Sequence, residues 1–172
     1  MKPNLVVFCL DPKLGDEVGK LVASQLDMFY LNTTELFKFD HIPHTMEEFL
    51  ENGGERKFRT MECGTISYAS SFFNTAIFVD SGVVKSAKNI SKLQNTCYFL
   101  YVKLAPAFAR KKLCGAVYDN KTIKKFYCVT ERQLCVRAEK MKQIADITVN
   151  GTRKSALKVS ADLIRAMQNS LA

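Results

Sequence analysis

Charged residues that bear for or against phosphoryl chemistry gather near the amino terminus. Asp11, Lys13, Asp16, Glu17 and Lys20 follow directly on the apolar run Asn4 to Leu10, and Asp80 closes a second apolar run. An apolar run, a tight loop and a helix in that order is the frame in which nucleotide-binding α/β proteins place a phosphate loop. Such a loop reads Gly-x-x-x-x-Gly-Lys-Ser/Thr, because glycines let amides close on phosphates, the lysine neutralises them and the hydroxyl holds Mg²⁺. Here the four fixed positions are Cys9, Leu14, Gly15 and Asp16, and none matches. Asp16 and Glu17 are expected in the first helical turn, where carboxylates suit the helix dipole and repel a triphosphate. Lys13 and Lys20 are the candidate stand-ins for the lost lysine, with solvated surface lysines as the plainer reading. Asp80 is either a strand-end Mg²⁺ ligand or a loop cap, the latter preferred.

Other chemistries find little support. Six cysteines occur without a Cys-x-x-Cys pair, and only His41 and His44 remain to complete a zinc site, so no metal site is expected. The cysteines read as reduced and mostly buried, and both histidines as solvated. No stretch approaches transmembrane length and no secretory pattern opens the chain, which makes the cytoplasm the default location. A hydrophobic content of 47% suits a soluble globular protein, and 172 residues suit one domain spanning residues 1–172. The formal charge of +8 is local: Lys103 to Lys142 holds eleven basic residues against three acids. Such an excess points to an anionic ligand or to a solvated lysine-rich face.

These groups need a scaffold, and the hydrophobic pattern supplies one. Short apolar runs near residues 4–10, 28–31, 76–79, 97–103 and 146–149 alternate with amphipathic stretches, which predicts a parallel sheet covered on both faces. A helix over 16–26 follows the first strand, and another covers 35–39. Thr45 and Glu48 form a capping box opening a short helix to Leu50. Asn52, Gly53 and Gly54 break it before a long helix over 55–72. Further helices are predicted over 86–93, 105–113, 130–144 and 152–169. Residues 114–127 read as a loop or mobile basic segment. Four polar loops should converge at the carboxyl ends of the strands: Asp11 to Gly15, Asn32 to Thr34, Asp80 to Gly82, and the basic stretch after Lys103.

The run Gly54-Glu55-Arg56-Lys57-Phe58-Arg59-Thr60-Met61-Glu62 resembles the Gly-Glu-x-x-Phe-Arg-x-x-Glu motif of shikimate kinases. Arg137, with Met141, Ala145 and Asp146 after it, is similar to that family's Arg-x-x-x-Tyr-x-x-x-Ala-Asp region. The resemblance implies a P-loop nucleoside-monophosphate-kinase-like three-layer α/β sandwich, with a five-stranded parallel sheet ordered 2-3-1-4-5 and a lid at about 114–127. It also implies a place in aromatic amino acid biosynthesis. Phe58 and Arg59 would line the shikimate pocket, with Glu62 orienting Arg59. Arg137 would grip the substrate carboxylate, Gly82 would lie in the turn beside the substrate ring, and Arg110 would stand by adenine. Plainer readings put Phe58 in the core and pair Arg59 and Arg137 with Glu62 and Glu139 at the surface.

This sequence departs from the family pattern wherever ATP and Mg²⁺ are handled. Gly15 and Asp16 replace the phosphate-loop lysine and hydroxyl. Asn32-Thr33-Thr34 replaces Asp-x-Asp, Asp80-Ser81-Gly82 replaces Gly-Gly-Gly, and the lid lacks Arg-Pro-Leu. The expectation is a shikimate-kinase-like pseudoenzyme that binds a small anion, a shikimate-like carboxylate or phosphate, without a cofactor. One alternative is a divergent active kinase that uses ATP and Mg²⁺ through Lys13, Lys20 and Asp80. The other is a basic interaction module; no RNA-binding motif accompanies its aromatic residues, so nucleic acid is not an expected partner.

Overall fold

Strands β1 (Asn4–Cys9) and β3 (Thr75–Asp80) are apolar through their centres, and every residue in both is buried. Alternate residues of a strand face opposite sides of the sheet, so both sides must be covered. In the computed structural model, which describes residues 2–118 and 120–171, these strands join β2 (Phe29–Asn32), β4 (Cys97–Lys103) and β5 (Ile147–Asn150). The five form one parallel sheet in the order β2-β3-β1-β4-β5, as the resemblance implies. The register aligns Cys9 with Asp80 on one side and with Val102 on the other. The carboxyl ends of the three central strands therefore open on one edge.

Eight helices are described: α1 (Pro12–Gln25), α2 (Thr33–Asp40), α3 (Met46–Ala69), α4 (Ala87–Thr96), α5 (Pro106–Gly115), α6 (Lys121–Tyr127), α7 (Glu131–Ile144) and α8 (Ala156–Leu171). A 3-10 turn over Ser81–Lys85 follows β3. α1 packs on α8, and α8 on β5; α4 and α7 lie against β4. The main core centres on Val6, Val7, Phe8, Ile77, Phe99 and Leu100. A second cluster of Phe37, Met46, Leu50 and Phe58 lies beneath α6, which adds Ile123 and Phe126. Asp146 shows how β5 is pinned: its Oδ2 accepts from the Phe99 amide at 2.7 Å, and its own amide donates to Phe99 O at 2.9 Å.

Several expectations are corrected. Asp11 to Gly15 is no loop, because Asp11 caps α1 and Pro12 already stands in its first turn. Asp16 and Glu17 therefore fall beyond the first turn. The break expected at Asn52 to Gly54 is present: Gly54 takes φ 64°, a left-handed conformation that suits glycine, and divides α3 into a short leading helix and a longer one, which ends at Ala69 rather than near residue 72. Residues 121–127, expected to be loop, form α6; Asp119 in the same segment lies outside the described residues. Only Cys9 and Cys97 among the cysteines are buried. His41 stacks on Phe37 at 4.1 Å rather than standing in solvent. Among the described residues, no helix is long and apolar enough to cross a membrane.

α1 crosses the sheet at close range over Gly15. A Cβ there would stand 2.5 Å from Phe78 Cε2 and 3.0 Å from Cys9 Cβ, and Phe78 is itself buried at 2% exposure. Overpacking of this kind costs about 1–3 kcal/mol. Gly15→Leu is accordingly expected to lower stability by at least that amount in urea denaturation; an unchanged midpoint would show that α1 can move away from β3.

Candidate functional site

The amino terminus of α1 is where a phosphate would be held, since the first helical amides lack partners within the helix and carry the positive end of its dipole. In this chain all of them are spoken for. Pro12 has no N–H. The Asp11 carboxylate accepts from the amides of Lys13 at 3.1 Å and Leu14 at 3.4 Å through Oδ1, and the Gly15 amide donates to the Asp11 carbonyl at 3.0 Å. Lys112 of α5 approaches Asp11 Oδ2 at 3.1 Å. A carboxylate of the protein thus sits in the anion position, with a lysine beside it. Lys13 points to solvent. Burial pushes the neighbouring Cys9 thiol up to about 12, so it stays neutral.

One turn further on, Asp16 faces β2. Its Oδ1 accepts from Tyr30 Oη and Asn32 Nδ2, both at 2.6 Å, and its Oδ2 pairs with Lys20 at 2.6 Å. Burial opposes its charge, but the hydrogen bonds from Lys20, Tyr30 and Asn32 prevail and hold its carboxyl below the ordinary range. Lys20 is therefore committed to Asp16. Asn32 caps α2 through the Thr34 and Glu35 amides while donating to Asp16. Its side chain is an amide, so position 32 offers no carboxylate to Mg²⁺, and the Asp16 carboxylate beside it is engaged by Tyr30, Asn32 and Lys20.

The second constellation lies at the end of β3. Arg59, in α3, donates from Nη1 to both Glu62 oxygens at 2.8 and 3.0 Å, and from Nη2 to Asp80 Oδ1 at 2.7 Å. The same Asp80 oxygen accepts the Gly82 amide at 2.9 Å, so Asp80 is both the loop cap expected and the arginine's counter-ion. A Cβ at Gly82 would fall on the Arg59 guanidinium, which is why this turn keeps a glycine. Arg137 of α7 is buried at 4% exposure and donates from Nη1 to Ser81 Oγ at 3.0 Å. Its Nε and Nη2 have no hydrogen-bond partner.

Glu55 joins the two arginines. Its Oε1 lies 2.8 Å from Lys85 Nζ, 3.5 Å from Arg59 Nε and 3.6 Å from Arg137 Nη2. Burial opposes its charge, and Lys85, Arg59 and Arg137 outweigh that and depress its pKa. Glu55 separates two clefts. One, of about 500 Å³, is bounded by Arg56, Arg59 and Lys85; the other, of about 550 Å³, by Gly54, Phe126 and Gln133. Phe126 covers Arg59, its ring 4.9 Å from the guanidinium carbon, and Phe58 flanks it at 5.2 Å. α6 is held down by Asn120 Nδ2 to Glu47 at 2.6 Å and Thr122 Oγ1 to Glu51 at 2.9 Å.

The structure thus brings Phe58, Arg59, Glu62, Asp80, Gly82 and Arg137 together and leaves Lys13, Lys20 and Arg110 outside. Arg110 is exposed on α5. Arg137 does not pair with Glu139, which is exposed on the same helix; the buried guanidinium turns to Ser81 and Glu55 instead. Sequence reasoning missed Asp11, Glu55, Lys85, Lys112 and Phe126. Two had a signal: Asp-Pro before an amphipathic run is a cap followed by N1 proline, and Glu55 stands four residues before Arg59. Among the described residues, no group of three or more His, Cys, Asp or Glu is arranged for a metal ion.

Residues 16–168 match the family model described as Shikimate kinase. A shikimate kinase of Caldicellulosiruptor bescii is 33% identical over 98 residues, 55% of this chain and 56% of that protein. One of Caldicellulosiruptor saccharolyticus is 33% identical over 87 residues, 49% of each. The match thus spans about half the length of these curated relatives. Among solved structures, the shikimate kinase from Acinetobacter baumannii in complex with shikimate superposes with a TM-score of 0.79 at 17% identity, covering 98% of this chain and 94% of that one. The shikimate kinase from Aquifex aeolicus gives 0.73 at 17% identity, covering 99% and 98%. At these identities the superpositions establish the fold.

Glu62 titrates in a useful range. Burial, with the Asp80 charge adding to it against Arg59, raises its carboxyl from 4.5 to about 7. A group whose folded pKa is raised binds extra protons in the folded state, so its contribution is fully present below the unfolded pKa and is lost as pH rises through the folded value. Stability is expected to fall between pH 4.5 and 7, and Glu62→Gln to flatten that slope. Chemical denaturation across this interval checks it, and a rising wild-type curve would reverse the assignment.

Proposed function

We propose that this chain, which belongs to the shikimate kinase family, has lost phosphoryl transfer from ATP and retains a pocket for a small carboxylate or phosphate. The observation that carries the reading is Asp11. Its carboxylate takes the α1 amides that an ATP phosphate would need, and Lys112 balances its charge. Phosphoryl transfer consists almost wholly of positioning and charge neutralisation. Here the residues present do not suit MgATP: position 15 is packed against Phe78 with no room for a lysine. Asp16 is engaged by Tyr30, Asn32 and Lys20, and Asp80 Oδ1 by Arg59 and Gly82. The engagement of Asp80 also weighs against the divergent-kinase alternative, which needs it free for Mg²⁺ and takes its phosphate contact from Lys13 or Lys20.

The substrate side supports a different outcome. Arg59, Arg137 and Lys85 face Asp80, Glu55 and a Glu62 whose carboxyl is raised toward neutrality, so the cluster leans positive. Arg137 still holds two unpartnered donors, and a planar carboxylate offers the acceptors that a guanidinium fork takes. Glu55, partly exposed at 35%, occupies the junction of the three cations, and an incoming anion would displace it. The bound shikimate of the Acinetobacter baumannii protein makes shikimate the first ligand to test.

Calorimetric titration of the purified chain is expected to give no MgATP binding and no turnover in a coupled assay with ATP, Mg²⁺ and shikimate. Shikimate or inorganic phosphate is expected to bind, about 10- to 100-fold more weakly in Arg137→Ala, the worth of a charged hydrogen bond. Turnover that disappears in Lys13→Ala or Lys20→Ala would instead establish an active kinase.

A further inference from the structure

Two thiols meet at the root of α6. Cys114 lies in the last turn of α5 and Cys128 stands at the C-cap of α6. Cys128 Sγ donates to Cys114 Sγ across 2.6 Å. Both side chains are partly exposed, so a small reagent can reach them. Among the described residues, no other cysteine hydrogen-bonds a second sulfur. The surrounding contacts hold the two stems together without help from the sulfurs: Tyr118 Oη donates to Leu113 O at 2.9 Å, and the Tyr118 and Tyr127 rings stack at 5.8 Å. Disulfide bonding fails when the backbone must move to bring sulfurs together; here the fold has already done so.

We propose that Cys114 and Cys128 form a site of reversible oxidation, closing as an intramolecular disulfide that fastens α6 over Arg59, with a low-molecular-weight disulfide as the oxidant. Burial, with the hydrogen bond to Cys114, raises the Cys128 thiol above its ordinary value, and the step is balanced with Cys114 attacking first. The Cys114 thiolate attacks one sulfur of the oxidant, forming a mixed disulfide and expelling one thiolate. Cys128 then loses its proton and attacks Cys114 Sγ, forming the internal bond and expelling the second thiolate. The two cysteines lose two electrons and two protons, and the oxidant leaves as two thiols. The bond ties the two ends of the segment that carries Phe126, so α6 can no longer swing clear of Arg59. This holds whether or not the pocket takes a carboxylate.

The test uses the full chain with oxidised glutathione, followed by alkylation, peptide mass mapping and hydrogen exchange. The expected result is one cross-linked peptide joining Cys114 to Cys128, two hydrogens lighter than its reduced parts. The α6 amides should exchange about a hundredfold more slowly than in the reduced protein, the factor that closing a loop of about 15 residues implies. Cys114→Ser and Cys128→Ser should each leave a mixed disulfide on the remaining thiol and no slowing. Recovery of both wild-type thiols alkylated, or as separate mixed disulfides, would overturn the proposal without recourse to any variant. So would a cross-link that leaves α6 exchange unchanged.

Discussion

A buried guanidinium is costly unless carboxylates pair with it. Arg59 obeys this rule, and much of the molecule is arranged around it. Glu62 meets it from its own helix, Asp80 from the end of β3, and the rings of Phe58 and Phe126 close over it. Removing one partner of such a pair costs about 3–5 kcal/mol, because the other charge is left unpaired and dry. Asp80 cannot turn elsewhere while it serves Arg59, Gly82 cannot carry a side chain, and the second aromatic cluster must keep its shape to support the rings.

The same logic governs the other end of the cleft. An α1 terminus without an anion would leave polar amides unsatisfied at a largely buried position. Asp11 supplies the anion from the chain itself, and Lys112 supplies the cation. At both ends, then, a charge that an external ligand would satisfy in a binding protein is satisfied internally. The difference lies in completeness. Around α1 every early amide has a partner, whereas Arg137 keeps two nitrogens without one. That asymmetry separates the α1 terminus, whose amides are all matched, from the buried Arg137 guanidinium, whose Nη2 has only Glu55 at 3.6 Å.

α6 ties these regions into one surface. Its hydrogen bonds to Glu47 and Glu51 on α3 and its Phe126 against Phe58 place a short helix over the arginine. A helix of this length is marginal alone, so its stability comes from the apolar cluster it covers and from the stems at Cys114 and Cys128.

The amino-acid sequence by itself determined the strands and the helices other than α6, because strand burial on both faces demands continuous apolar runs and helix packing demands a periodic face. It also determined that position 15 is glycine and position 16 a carboxylate, where the usual phosphate loop has a lysine and a hydroxyl. The motif around Phe58 and Arg59 and the isolated Arg137 were legible through their resemblance to a family pattern. Their partners were not. Glu62 was within reach along the helix, but the contacts of Arg59 with Asp80 and of Arg137 with Ser81 join residues 21 and 56 positions apart. The Lys112 contact with Asp11 spans 101 positions. Neither periodicity nor spacing records such distances. Where α1 begins was legible only in the Asp11-Pro12 pair, a cap followed by an N1 proline; that the Asp11 carboxylate also meets Lys112 was not. Tertiary structure decided which charges are free and which are already matched, because a charge pair is fixed by the packing of separate elements and not by the order of residues along the chain.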